Sequence, residues 1–104
     1  MDQKEDVSTE DLAALFKALG DPTRLKLVRF LHDLDEPASV CVNALAGYLG
    51  VSQSAVSQHL RILKNVGLVR GERKGYHVHY SLDKKSMTSV HALMSAAHDA
   101  VLEY

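Results

Sequence analysis

Residues 50–69 of the chain read GVSQSAVSQHLRILKNVGLV, and this segment carries the clearest structural signals of the sequence. Gly50 predicts a tight turn, Ser52 predicts a helix N-cap, and Gly67 predicts the helix end, so we expect a helix over about 53–66. Its apolar stripe is formed by Ala55, Val56, Leu60, Ile62, Leu63 and Val66. Its opposite face is polar and is formed by Gln53, Ser54, Ser57, Gln58 and Arg61. The cluster of Ser and Gln at the helix start indicates a surface that contacts a partner.

Two helices are predicted before this stretch. Ser8 with an acid at Asp11 is typical of a capped helix start, and Gly20 ends that first helix. Asp21 and Pro22 then begin the second helix. The apolar face of the first helix comprises Leu12, Leu15, Phe16 and Leu19. The broader apolar surface of the second helix comprises Leu25, Leu27, Val28, Phe30 and Leu31. The breadth of that surface places the second helix at the centre of the domain.

A short helix and a β-hairpin complete the pattern around the quoted stretch. Ser39 predicts the cap of a short helix over residues 40–49, which forms a helix-turn-helix unit with the helix at 53–66. Alternation of Val78, Tyr80 and Leu82 with polar residues predicts a strand, and turn residues before it predict a hairpin with a basic tip. After the hairpin, helical spacing returns, with an apolar stripe of Met87, Val90, Met94, Ala97 and Val101.

The predicted fold is therefore mainly α with a small β-hairpin wing, a winged helix-turn-helix in the order α-α-α-α-β-β-α. We expect one domain over residues 1–104. The first and last helices carry apolar stripes that so small a domain has little else to cover. We therefore expect a homodimer through these two helices.

Composition and charge narrow the class of protein. The single cysteine, the absence of a membrane-length apolar run and the acidic start favour a cytoplasmic protein without membrane contact. The net charge of −1 conceals an asymmetry. Residues 37–82 hold five bases and one acid, a balance of +4, whereas residues 1–36 hold five bases and nine acids, a balance of −4. Positive charge in the segment that carries the helix-turn-helix and the hairpin suggests a polyanion partner.

These features together predict double-stranded DNA as the partner. The second helix of a helix-turn-helix reaches base edges in the major groove with its N-terminal residues. Amide and hydroxyl groups there can bond bases, Arg61 can bond phosphate or guanine, and the helix start capped by Ser52 attracts phosphate. Arg73 and Lys74 at the hairpin tip can reach the flanking backbone, and His77 can contribute when protonated. The remaining predicted DNA contacts are Gln53, Ser54, Ser57 and Gln58.

Three segments resemble the ArsR/SmtB family of bacterial winged-helix repressors. They are LFKALGDPTRLKLVRFL (residues 15–31), VCVNALAGYLGVSQSAVSQHLRILKNVGLV (40–69) and RKGYHVHYSL (73–82). The resemblance implies a homodimer built on the first and last helices, bound to an imperfect palindromic operator. It also implies release from DNA when a metal ion, arsenite or a thiol-oxidising signal arrives.

The inducer sites that the resemblance implies are only partly present. Family members carry Cys-x-Cys on the short helix, where this chain has Cys41 followed by Asn43. Cys41 is therefore either a small buried hydrophobe or a redox-reactive or metal-binding thiol. The family's second site, on the last helix, falls at positions that hold no matching ligand: Lys84, Ser86, Ala97 and Ala100.

The last helix nevertheless carries two histidines, His91 and His98, on one face. The helix rise separates them by about 10 Å, too far for one ion to bind both within a chain. In an antiparallel dimer His91 can approach the partner's His98, and such pairs suit zinc, nickel or cobalt. The alternative is that both histidines are exposed or pack in the dimer seam.

Three functions stay open at this point. The first is a dimeric repressor released by a metal ion or a thiol signal. The second is a DNA-binding regulator without an inducer of its own, and the third is a winged-helix module that binds other proteins. An enzyme is not expected, because the sequence offers no nucleophile–base constellation and no phosphate-binding glycine loop.

Overall fold

The structure is a computed structural model that describes residues 8–34 and 39–102, with side chains as far as residue 99. Within these ranges it has five helices and three strands. The helices are α1 (Thr9–Leu19), α2 (Pro22–His32), α3 (Val42–Leu49), α4 (Gln53–Asn65) and α5 (Lys84–Leu102). The strands are β1 (Val40–Cys41), β2 (Val69–Lys74) and β3 (His77–Leu82). The winged helix-turn-helix prediction is confirmed.

Side-chain caps fix the starts of the first two helices. The Ser8 hydroxyl accepts a hydrogen bond from the Asp11 N–H at 3.0 Å. The Asp21 carboxylate accepts from the N–H groups of Thr23 and Arg24 at 3.0 and 3.1 Å, and proline occupies the first turn of α2. These bonds satisfy donors that a helix start leaves unpaired, which is why helix starts are readable in the sequence.

The core lies where α2, α3 and α4 meet the sheet. Its fully buried large side chains are Leu27, Leu45, Val56, Leu60, Leu63, Leu68 and Val69. Around them pack partly buried side chains, among them Leu12, Phe16, Phe30, Tyr80 and Met87. Two predicted core residues lie at the surface instead, since Leu25 is 46% exposed and Ile62 is 40% exposed. Helical spacing places each of them at the edge of its helix's buried face.

A third strand joins the predicted hairpin. The sheet order is β1-β3-β2, antiparallel throughout, with Val40 opposite Tyr80 and Cys41 opposite His79. Because residues 40–41 pair with β3, α3 begins two residues later than predicted, and its N-cap is Cys41, with no side-chain cap bond. The prediction that Ser39 caps this helix is therefore wrong. Its hydroxyl instead accepts from the Lys74 ammonium at 3.3 Å.

The apolar stripe of α5 is only partly covered within one chain. Val90 is buried, but Leu93 is 38% exposed and Met94 is 57% exposed. Val101 lies outside the residues whose side chains are described. An open groove of about 1130 Å³ runs between α1, the end of α4 and α5. The predicted dimer surface is thus available for a partner. None of the described helices combines the length and apolar character that crossing a membrane requires.

Candidate nucleic-acid interface

A left-handed turn sets the start of α4. Gly50 has φ +70° and ψ 30°, a conformation that other residues adopt at a cost, and its N–H donates to the Ala46 carbonyl at 2.9 Å. Two residues later the extended Ser52 caps α4, since its hydroxyl accepts from the Ala55 N–H at 3.0 Å. The turn and the cap together fix where the recognition helix begins.

The recognition helix α4 has one buried face and one exposed face. Val56, Leu60 and Leu63 are at most 1% exposed and anchor the helix to the core. The predicted contact residues lie on the exposed side: Ser52, Gln53, Ser54, Ser57, Gln58 and Arg61. This arrangement presents hydrogen-bonding groups along the first two turns, where a helix-turn-helix protein meets base edges.

The wing is formed by β2, β3 and the turn at Gly75, which has φ +67°. Lys74 lies directly opposite His77, so these two side chains share one face of the hairpin. Arg73 lies opposite Val78 and therefore points to the other face. All three predicted wing residues, Arg73, Lys74 and His77, are exposed, but the structure brings only Lys74 and His77 together.

One candidate contact escaped the sequence prediction. Tyr76, in the turn of the wing, is 97% exposed and packs against nothing in the core. An aromatic ring in a turn flanked by basic residues has no packing role of its own, and this is the signal that could have identified it. Aromatic rings and cations together are suited to contact nucleic-acid backbones and bases.

The candidate sensor residues are dispersed in a single chain. Cys41 is a free, half-buried thiol at the end of β1. His91 and His98 are exposed on α5, where His91 Nε2 lies 3.5 Å from the Ser95 hydroxyl. Over residues 8–34 and 39–99, no three His, Cys, Asp or Glu side chains converge on a position that could hold a metal ion.

The fold, the exposed start of α4 and the wing define a winged helix-turn-helix protein. Residues 21–70 match the model of the arsR family of bacterial regulatory proteins. The chain is 40% identical over 73 residues to a cadmium resistance transcriptional regulatory protein, a CadC homolog of Staphylococcus aureus; this match covers 70% of the chain and 58% of the relative. It is 38% identical over 77 residues to an HTH-type transcriptional regulator of Methanocaldococcus jannaschii, covering 73% of the chain and 83% of the relative. The chain therefore belongs to the arsR family.

A solved structure supports the same assignment. The homodimeric winged helix-turn-helix DNA-binding domain from Mycobacterium bovis, solved by NMR, superposes with a TM-score of 0.70 at 28% identity. The superposition covers 90% of this chain and 83% of that one. The two curated relatives are both named as transcriptional regulators.

Proposed function

We propose that the chain is a homodimeric transcriptional repressor that binds an imperfect palindromic operator and acts in the cytoplasm. The observation that carries the proposal is the exposed polar start of α4, held by buried leucines on its other side. Gln53 and Gln58 offer a donor and an acceptor at once, which adenine requires in the major groove. Arg61 and the wing residues Arg73 and Lys74 supply charge for the phosphate backbone.

The exposed apolar face of α5 supports the homodimer. Without a partner, Leu93 and Met94 remain exposed to water. A second copy of the chain can cover them with the same apolar face, as in a two-fold dimer. A two-fold dimer presents two recognition helices to two half-sites, which explains the expected palindrome. Replacing Met94 with Glu should shift the protein towards monomer in sedimentation, whereas an unchanged dimer would exclude this face.

We further propose that a metal ion or a thiol signal releases the operator. A relative named for cadmium resistance supports a metal ion as the signal. His91 and His98 are exposed imidazoles that suit zinc, nickel or cobalt, and a complete ligand set needs both subunits. Cys41 is the candidate thiol. When bound, the metal would join the two α5 helices and thereby alter the dimer that holds the half-sites.

The test is operator binding with and without each metal. Zinc, nickel and cobalt are titrated into the protein–operator complex, and the His91→Ala and His98→Ala variants serve as matched samples. Release by one of these metals in wild type but not in the variants supports the proposal. No change with any metal or with a thiol oxidant supports the second candidate, a regulator without its own inducer, which the dispersed ligand set favours.

The protein-interaction alternative is tested by salt. Binding through several phosphates weakens steeply as salt rises, because neutralising phosphates releases condensed counterions. An affinity for DNA that is absent, or that is insensitive to salt, would contradict DNA binding as the main function.

A further inference from the structure

One guanidinium connects three helices of the domain. Arg24, in the first turn of α2, donates from Nε to the carbonyl of Ala18 near the end of α1. Its Nη1 lies 3.3 Å from Nδ1 of His59 on α4. His59 directly follows Gln58, a proposed DNA contact. The hydrogen bond to Arg24 therefore ties α4 to α2 next to the surface proposed to face DNA. The His59 side chain is 23% exposed, so its contact with Arg24 is mostly shielded from water.

The chemistry of this bond dictates the state of His59. Arginine has only donors and stays charged at any ordinary pH, so His59 Nδ1 must supply the lone pair. The bond therefore requires neutral imidazole with its proton on Nε2. Protonation places an N–H on Nδ1, facing the guanidinium, and turns an attraction into repulsion between two cations.

A carboxylate also lies close to the His59 ring. The Asp21 carboxylate that caps α2 lies 3.9 Å from His59 Nδ1. The pKa of Asp21 is lowered, first by the hydrogen bond from the Arg24 N–H and further by the nearby charges of Arg24 and His59, although partial burial opposes the shift. The Asp21 carboxylate is thus ionised at neutral pH. Among residues 8–34 and 39–99, Arg24 is the charged group within hydrogen-bond distance of the His59 ring, and Asp21 is the charged group within ion-pair distance of it. From α1, the Ala18 carbonyl accepts from Arg24.

We propose that Arg24 and His59 are positioning residues for DNA recognition, whose hydrogen bond sets the rotation of α4 and is lost when His59 is protonated. A protonated His59 exchanges Arg24 for Asp21. Because Ser57, Gln58 and His59 lie on one helix, a shift of the α4 backbone at His59 moves Ser57 and Gln58 with it. Specific operator binding then weakens in acid, while binding through phosphates does not. This proposal rests on the proposed binding of DNA through α4.

The test compares pH profiles of operator affinity in wild type and in a His59→Gln variant. Glutamine keeps an acceptor for Arg24 but does not titrate. From about pH 8 to about pH 5.5, the range in which histidine gains its charge, wild type should lose about fivefold more operator affinity than the variant. The matched control is His32→Gln, a histidine at the end of α2 whose side chain is 73% exposed and which is not a proposed DNA contact; it should leave the acid-induced loss in place.

Two results would overturn the proposal. Parallel profiles for wild type and His59→Gln would show that the bond does not position α4. A gain of affinity in acid that depends on His59 would show that its ring binds phosphate instead.

A measurement on wild-type protein without DNA keeps the proposal testable if the variant does not fold. Long-range proton–nitrogen NMR correlations report the tautomer of His59. The proposal requires the proton on Nε2 at about pH 8, and a proton on Nδ1 contradicts it. If the protein binds no operator at any pH, the proposed function fails, whereas the tautomer still decides whether the bond exists.

Discussion

Gly71 in β2 gives the most direct test of how the wing is packed. A methyl group built on Gly71 would lie 3.0 Å from Cε1 of Tyr80 and 3.1 Å from Cγ1 of Val78. Tyr80 packs against the core and lies directly opposite Gly71 across the hairpin, so its ring cannot yield freely. Gly71→Ala should therefore force the two strands apart or push the ring out of its place.

Overpacking of this kind costs about 1–3 kcal/mol, which corresponds to a melting temperature about 5–20 °C lower for a domain of this size. Gly47, in α3, is the matched control because a methyl group there meets nothing within 4 Å. Gly47→Ala should stabilise the helix by about 0.5–1 kcal/mol. Thermal unfolding at one fixed protein concentration measures both variants. A Gly71→Ala variant that melts with or above wild type would refute the packing described for the wing.

Two further predictions concern charge. Asp21→Asn keeps a capping side chain but removes a carboxylate whose pKa is lowered by folding from 3.8. A lowered pKa stabilises the fold above pH 3.8, and this contribution is lost as pH falls through the lower folded value. The variant should thus show a shallower fall of unfolding free energy in urea at acid pH, and identical profiles would count against the cap. Replacing Arg73 and Lys74 with Gln should lower the slope of log affinity against log salt by about 3–4 per dimer, since each phosphate contact contributes about 0.9. Lys26→Gln is the control, and an unchanged slope would remove the wing from the interface.

Much of the fold could be predicted because its signals are local. The cap at Ser52, the glycine at position 50 and the apolar face of α4 each act within a few residues of the chain. The alternation of Val78, Tyr80 and Leu82 with polar residues likewise identifies β3 from neighbouring residues alone. The same locality explains why the polar side of α4 is recognisable as a candidate interface in the amino-acid sequence itself.

The remainder depends on contacts between distant segments. β1 has two residues, too few for a periodic signal, and it exists only because β3 pairs with it. The hydrogen bond between Arg24 and His59 joins residues 35 positions apart, and no sequence spacing predicts it. Arg73 and Lys74 point to opposite faces of the hairpin because of its register. A sequence pattern does not determine that register to the single residue.

Base reading by the exposed start of α4 can be measured by comparing two DNAs. Ser57 and Gln58 are replaced together by Ala, and affinity is measured for the operator and for unrelated DNA of equal length at the same salt. Loss of base contacts should weaken operator binding by about tenfold or more and leave binding to unrelated DNA nearly unchanged. Equal losses on both DNAs would contradict base reading by α4 and leave these residues a role in backbone binding alone.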